Sequence, residues 1–223
     1  MRLFLIRHGE MAGDPYVRPG RPVSGCLTPQ VGVGQARRAA QALCNVPVEA
    51  VLASSYGRAL QTAEIIFGDR GVPIEICDFL CEWLPSEEVR NMETPEFEER
   101  MEREANLRAE ERWKTDLGEG KYEMYARVVP PLLTALATHG IRAMHGGYVP
   151  DPGAEDRCLA IVAHGGSLDI VLSYLINRTL TPWSGISFAL TGVAELVFTG
   201  TGGVYYPQLT IPPWCPAPQG DSD

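Results

Sequence analysis

The chain has 223 residues, 45% of them hydrophobic, enough for one sizeable core, and no change of composition along it separates two domains. A formal net charge of -9 excludes nucleic acid and anionic membrane as partners of the surface as a whole, so an anionic ligand has to be held by a local cluster of arginines. Arg7 and His8 interrupt the apolar opening before it reaches the length of a signal-peptide core, no other run is long enough to span a bilayer, and the six cysteines lack C-x-x-C spacing. The expectation is a cytoplasmic protein with reduced thiols and no metal site.

In chain order, Arg2 to Ile6 reads as a strand, Gln30 to Leu43 as a helix and Val48 to Ala53 as a second strand. Arg58 to Phe67 has apolar residues at helical spacing, and Val72 to Cys77 alternates like a third strand. Thr94 to Leu117, rich in Glu and Arg, suits an exposed helix with charge pairs three and four residues apart. Glu123 to Thr138 reads as an amphipathic helix, and Ile141 to Arg157, with its glycines, prolines and acids, as a long lid-like loop. Cys158 to Ala163 has the pattern of a buried strand, and Leu168 to Ile176 is helical. Phe188 to Phe198 and Val204 to Tyr206 flank Gly200-Thr201-Gly202-Gly203 as a hairpin, and an irregular tail is expected over 207–223. Alternating strands and helices predict an α/β domain with a mostly parallel sheet, whose ligands sit beyond the carboxyl ends of the strands.

Two of those ends carry histidine. Arg7-His8-Gly9-Glu10 follows the first strand and His164-Gly165-Gly166 a later one, so both imidazoles are expected at one edge of the sheet. Arg58 falls just past the second strand, where a guanidinium and the free N–H groups of a helix start suit a phosphate dianion. Gly165-Gly166-Ser167-Leu168-Asp169 lacks the final glycine of a serine-hydrolase elbow, and Gly32-Val33-Gly34 follows no strand, so neither marks a hydrolase serine or a dinucleotide site.

Together, Arg7-His8-Gly9-Glu10, Leu27-Thr28-Pro29, Arg58-Ala59-Leu60-Gln61-Thr62-Ala63, Glu82 and His164-Gly165-Gly166 resemble the histidine phosphatase superfamily, which includes the cofactor-dependent phosphoglycerate mutases. The resemblance implies one domain over 1–223 with a phosphoglycerate mutase-like, three-layer α/β/α sandwich and a cap inserted at about 85–152. By position it makes His8 the nucleophile, Arg7 and Arg58 the phosphate-binding arginines, His164 the second pocket histidine and Glu82 the proton donor. Gly165 joins the substrate-binding set, and Arg18 and Arg21, in the loop after the first strand, are candidates for a second anionic group.

The implied activity is hydrolysis of a small phosphorylated substrate through a phosphohistidine. Splitting a hard displacement into two in-line steps suits an imidazole nucleophile, and Arg7, Arg58 and a protonated His164 would hold the equatorial oxygens without metal or cofactor. One carboxyl, Glu82, would protonate the leaving oxygen and then activate water. Mutase-like phosphotransfer and phospho-ligand binding without catalysis are the alternatives. Met11, where the family has Ser or Thr, Val23, Ser24 and Cys26, where it has an acid, and Asp169, where a base is common, depart from the pattern. Trp83, His145 and Tyr148 are expected in the cap as a lid or as its small core, Glu10 either orients a pocket group or is solvated, and His139 is expected at a helix carboxyl end with no catalytic role.

Overall fold

The computed structural model describes residues 1–12, 25–90, 92–107, 115–144, 146–181 and 185–215. Arg18, Arg21 and His145 lie outside the described residues. In order, the chain forms β1 (Arg2–Arg7), α1 (Val31–Leu43), β2 (Ala50–Ser54), α2 (Gly57–Phe67), β3 (Ile74–Cys77), α3 (Glu87–Arg90), α4 (Thr94–Ala105) and α5 (Lys121–Thr138). There follow β4 (Ile141–Met144), β5 (Gly147–Pro150), β6 (Cys158–Ala163), α6 (Gly165–Leu175), β7 (Val193–Thr201) and β8 (Val204–Thr210).

The central strands are apolar on both faces because both are covered. Along β1, Leu3 and Leu5 point to one side and Phe4 and Ile6 to the other; β6 divides Leu159 and Ile161 from Ala160 and Val162 in the same way. On the first side these residues pack against Val128, Leu132 and Leu136 of α5 and Leu168, Val171 and Leu175 of α6. On the second they meet Ala39 and Leu43 of α1 and Ala63, Ile66 and Phe67 of α2. Fully burying each such leucine or isoleucine contributes ~1.5–3 kcal/mol, which is why the period-two pattern, filled on both phases, specifies the middle of the sheet.

The sheet corrects the expectation of mostly parallel strands. Among the described residues its order is β3-β2-β6-β1-β7-β8-β5-β4. The pairs β2–β3, β2–β6 and β1–β6 are parallel, whereas β1–β7, β7–β8, β5–β8 and β4–β5 are antiparallel. The β7–β8 turn lies at Gly202 and Gly203, both at positive φ (72° and 87°), the backbone a two-residue hairpin requires. β8 runs on to Thr210, so the strand occupies the start of the segment expected as a tail.

The end of the expected cap belongs to the sheet and its core. The segment expected as a long loop at Ile141 to Arg157 begins with the β4–β5 hairpin on the sheet's edge, and α5 is part of the main core. The excursion that stands apart is shorter: it leaves and returns at an antiparallel bridge between Pro85 and Gly118. It has its own small core of Val89, Met92 and Leu117, with Trp83, Phe97 and Met101 against it. Arg100 of α4 pairs with Glu88 at 2.8 Å and Glu96 at 3.0 Å, the charge pairing the composition suggests. No described helix is long and apolar enough to cross a membrane.

Candidate active site

Parallel pairing brings the two histidines together. Arg7 is in register with Ala163, so the next residue of each strand, His8 and His164, leaves the sheet at the same edge. The His8 N–H still donates to the Ala163 carbonyl at 3.0 Å. On the other side of β6, β2 ends at Ser54, and the turn into α2 delivers Arg58 in the helix's first turn. The imidazole centroids lie 5.0 Å apart at 59°, and His8, Arg58 and His164 are 5%, 2% and 0% exposed.

The hydrogen bonds settle the tautomers. Nδ1 of His8 lies 2.7 Å from the Gly9 carbonyl, which can only accept, so Nδ1 carries the proton. Nε2 of His8 accepts from Arg58 Nε at 3.2 Å, so it presents a lone pair. The same Nε–H is shared with Nδ1 of His164, also at 3.2 Å, and Nε2 of His164 donates to Ser54 Oγ at 2.8 Å. Tyr56 braces the group, its ring 5.1 Å from that of His164 and 5.0 Å from the Arg58 guanidinium carbon. The Arg58 terminal nitrogens make no hydrogen bond to a described residue.

Both rings are held neutral. Burial first, and then the Arg58 charge, lower the pKa of His8 to about 3. The same causes put that of His164 well below 6.5. A buried ring beside Arg58 has no counter-charge among these neighbours to stabilise an imidazolium, so the protonated His164 expected from the sequence requires a bound anion. Burial also lowers the pKa of Arg58, with Glu82 opposing it, but a guanidinium stays charged.

This has a sign for stability. Because the folded-state pKa of His8 lies below the unfolded value of 6.5, the unfolded chain binds more protons between pH 6.5 and about 3. The stabilisation is complete above pH 6.5 and is lost as the pH falls through that window. The thermal midpoint of the wild type is expected to drop more steeply on acidification than that of His8→Asn, which has no ring to titrate; parallel pH profiles for the two would refute it.

Glu82 lies on the irregular stretch after the short turn Asp78–Leu80. Its Oε2 accepts from the Gly166 N–H at 3.2 Å and its Oε1 from its neighbour Trp83 N–H at 2.9 Å, so α6 places the carboxyl beside the histidines. A Cβ at 166 would displace the Glu82 carboxyl, meeting its Oε1, and would sit 3.3 Å from Met124 Cε. Arg7 donates from Nη1 to the Phe188 carbonyl at 2.5 Å, and a Cβ built on Gly165 would lie 3.7 Å from its guanidinium carbon. Of the expected site residues, Arg7, His8, Arg58, Glu82, His164 and Gly165 thus share one region, and Arg21 lies outside the described residues.

The remaining candidates have structural partners. Glu10 accepts from Thr28 Oγ1 at 2.9 Å and ties the loop after β1 to the start of α1. Asp169 pairs with Lys121 and accepts from Ser173 Oγ at 3.3 Å. Tyr148 is buried under the sheet, edge-on to Phe198 with centroids 5.1 Å apart, and so fills the core rather than a lid. Trp83 packs on the small excursion core and donates from Nε1 to the Glu119 carbonyl at 2.9 Å. His139 ends α5, where the sequence expects it, beside Glu75. Sequence reasoning missed Ser54; its signal is a hydroxyl at the end of a buried strand adjoining the strand that ends in His164.

The model of the histidine phosphatase superfamily (branch 1) matches residues 3–206. An adenosylcobalamin/alpha-ribazole phosphatase of Salmonella typhimurium is 31% identical over 191 residues, 81% of this chain and 80% of that protein. Among solved structures, Bacillus stearothermophilus YhfR superposes with a TM-score of 0.70 at 22% identity, covering 93% of this chain and 95% of its own. A mycobacterial glucosyl-3-phosphoglycerate phosphatase with inorganic phosphate gives a TM-score of 0.70 at 20% identity, over 94% and 95% of the two chains. These likenesses at low identity agree in fold, and the match over nearly the whole length decides the family: the chain belongs to the histidine phosphatase superfamily, branch 1.

Proposed function

We propose that the protein is a phosphatase that hydrolyses a small phosphomonoester through a phosphohistidine on Nε2 of His8. The observation that carries this is the tautomer: a neutral imidazole with its proton on Nδ1 and a lone pair on Nε2, aimed at a buried guanidinium. Nε2 attacks phosphorus, the ester P–O bond breaks, and the leaving oxygen takes its electron pair and a proton from Glu82. The imidazole becomes cationic while phosphorylated, and the Gly9 carbonyl on Nδ1–H stabilises that charge. Water then attacks phosphorus, gives a proton to Glu82, and the P–N bond returns its electron pair to Nε2.

Arg7 and Arg58 hold the equatorial oxygens through both steps, so charge is neutralised by fixed cations in a buried site. The dianion also supplies the counter-charge that His164 lacks, drawing its pKa upward and turning it into a donor to phosphate. The excursion between Pro85 and Gly118 serves as the cap of a single phosphatase domain. The names of its relatives suggest alpha-ribazole 5′-phosphate and glucosyl-3-phosphoglycerate as the first substrates to try.

The test offers these two esters, p-nitrophenyl phosphate and 3-phosphoglycerate to the protein in the presence of a chelator. Release of inorganic phosphate, with an acid-labile phosphoryl label on His8 in quenched samples, is expected. Turnover that leaves no label on His8, or none with any ester, refutes the reading; 2-phosphoglycerate formed from 3-phosphoglycerate with a bisphosphate primer would make the protein a mutase. Gly166→Ala, which pushes the Glu82 carboxyl off its backbone partner, is expected to lower kcat/KM on the order of a hundredfold. Its thermal midpoint should barely move, because alanine suits a helix; full activity in this variant would remove Glu82 from the mechanism.

A further inference from the structure

The backbone that carries Glu82 has little regular structure of its own. Asp78–Leu80 is one short turn, and Cys81 to Leu84 forms neither helix nor strand. Its carbonyls are gathered by a single side chain on α5: Arg127 donates from Nη1 to Phe79 O at 2.9 Å and Cys81 O at 3.2 Å, and from Nη2 to Glu82 O at 3.2 Å. The same guanidinium grips Glu119 in a two-pronged pair, Nε to Oε1 at 2.6 Å and Nη2 to Oε2 at 2.8 Å.

Glu119 secures the other side of Glu82. Its Oε2 accepts from the Leu84 N–H at 3.1 Å, its N–H donates to Leu84 O at 3.0 Å, and its carbonyl accepts Trp83 Nε1 at 2.9 Å. One turn before Arg127, Met124 packs beside Gly166, and Lys121 pairs with Asp169, so α5 also locates the helix whose N–H meets the Glu82 carboxyl. Both anchors of that carboxyl, its own backbone and its N–H partner, are therefore referenced to α5.

We infer that Arg127, with Glu119, is the positioning residue of the proton donor: it touches neither phosphorus nor leaving group but sets where the Glu82 carboxyl stands. The inference rests on the reading of Glu82 given under the proposed function. A planar fork is required, because five N–H donors in fixed directions reach three carbonyls and a carboxylate at once; a lysine ammonium, a point charge with three donors, cannot.

A general acid matters most when the leaving oxygen is a poor leaving group. The experiment measures kcat/KM, which reports the step that expels the alcohol, for p-nitrophenyl phosphate and for glycerol phosphate, in wild type, Glu82→Gln, Arg127→Lys and Glu119→Gln. Arg127→Lys is expected to lose several-fold on the nitrophenyl ester but on the order of a hundredfold on the alkyl ester, the selective pattern of Glu82→Gln. Glu119→Gln should shift the ratio in the same direction by less. If Glu82→Gln is selective while Arg127→Lys loses equally on both esters, the arginine is merely structural and the inference is overturned. If Glu82→Gln is itself unselective, the assignment of the proton donor fails, and the inference falls with it. Should Arg127→Lys not fold, as judged by its thermal melt, Glu119→Gln decides by the same ratio, an unchanged ratio overturning the inference.

Discussion

Replacing His8 with alanine should reduce turnover by at least ~10⁴-fold and abolish the phosphoryl label, because the variant lacks the Nε2 lone pair that forms the P–N bond. Among the described residues His164 is the one neighbour with a comparable nitrogen, and its Nδ1 faces the same Arg58 N–H while its Nε2 is committed to Ser54. The fall should appear in kcat for every ester, since both half-reactions pass through the same P–N bond. His8→Asn is the companion variant: it retains an N–H for the Gly9 carbonyl and fills more of the buried space, separating loss of the nucleophile from loss of packing. Stopped-flow and quenched-label measurements check both. Label appearing on another residue at wild-type rate would end the assignment of His8.

The second large effect is expected at Arg58. One N–H of this arginine is shared by the two imidazoles, so the residue orients both rings as well as neutralising charge. Arg58→Lys keeps the charge but loses the planar fork, and kcat/KM should fall ~10³-fold, with inorganic phosphate a much weaker inhibitor. Arg58→Met should be at least as inactive, yet its thermal midpoint should stay near that of the wild type. Burying the guanidinium is costly enough to lower its pKa, and an apolar side chain of similar volume is spared that desolvation. The lone pairs left on His8 and His164 offset part of that gain. Retained activity in Arg58→Met would show that phosphate is held elsewhere.

The two histidines could be placed at one sheet edge from the chain alone because each follows a strand apolar on both phases, and such strands lie side by side in the middle of α/β sheets. Arg58 was legible for a related reason, standing where a strand gives way to a helix start. The hairpin at Ile141–Met144 and Gly147–Pro150 was not: β4 is largely exposed, and its neighbours Asp151, Pro152 and Gly153 have the composition of a loop. The mixed sheet was equally hidden, since an antiparallel partner for β1 in β7 depends on where a distant segment docks, not on the period of either strand.

The amino-acid sequence by itself determined the α/β class, the order of the central strands and helices along the chain, and the residue types available to hold a phosphoryl group, because these follow from periodicity and from short motifs at strand ends. Only the tertiary structure decided that burial disfavours a charged His164, that Arg58 and Gly9 fix the two imidazole tautomers, and that Arg127 and Glu119 clamp the backbone around Glu82. Burial and hydrogen-bond direction are properties of groups brought together from separate parts of the chain, and no pattern within one segment encodes them.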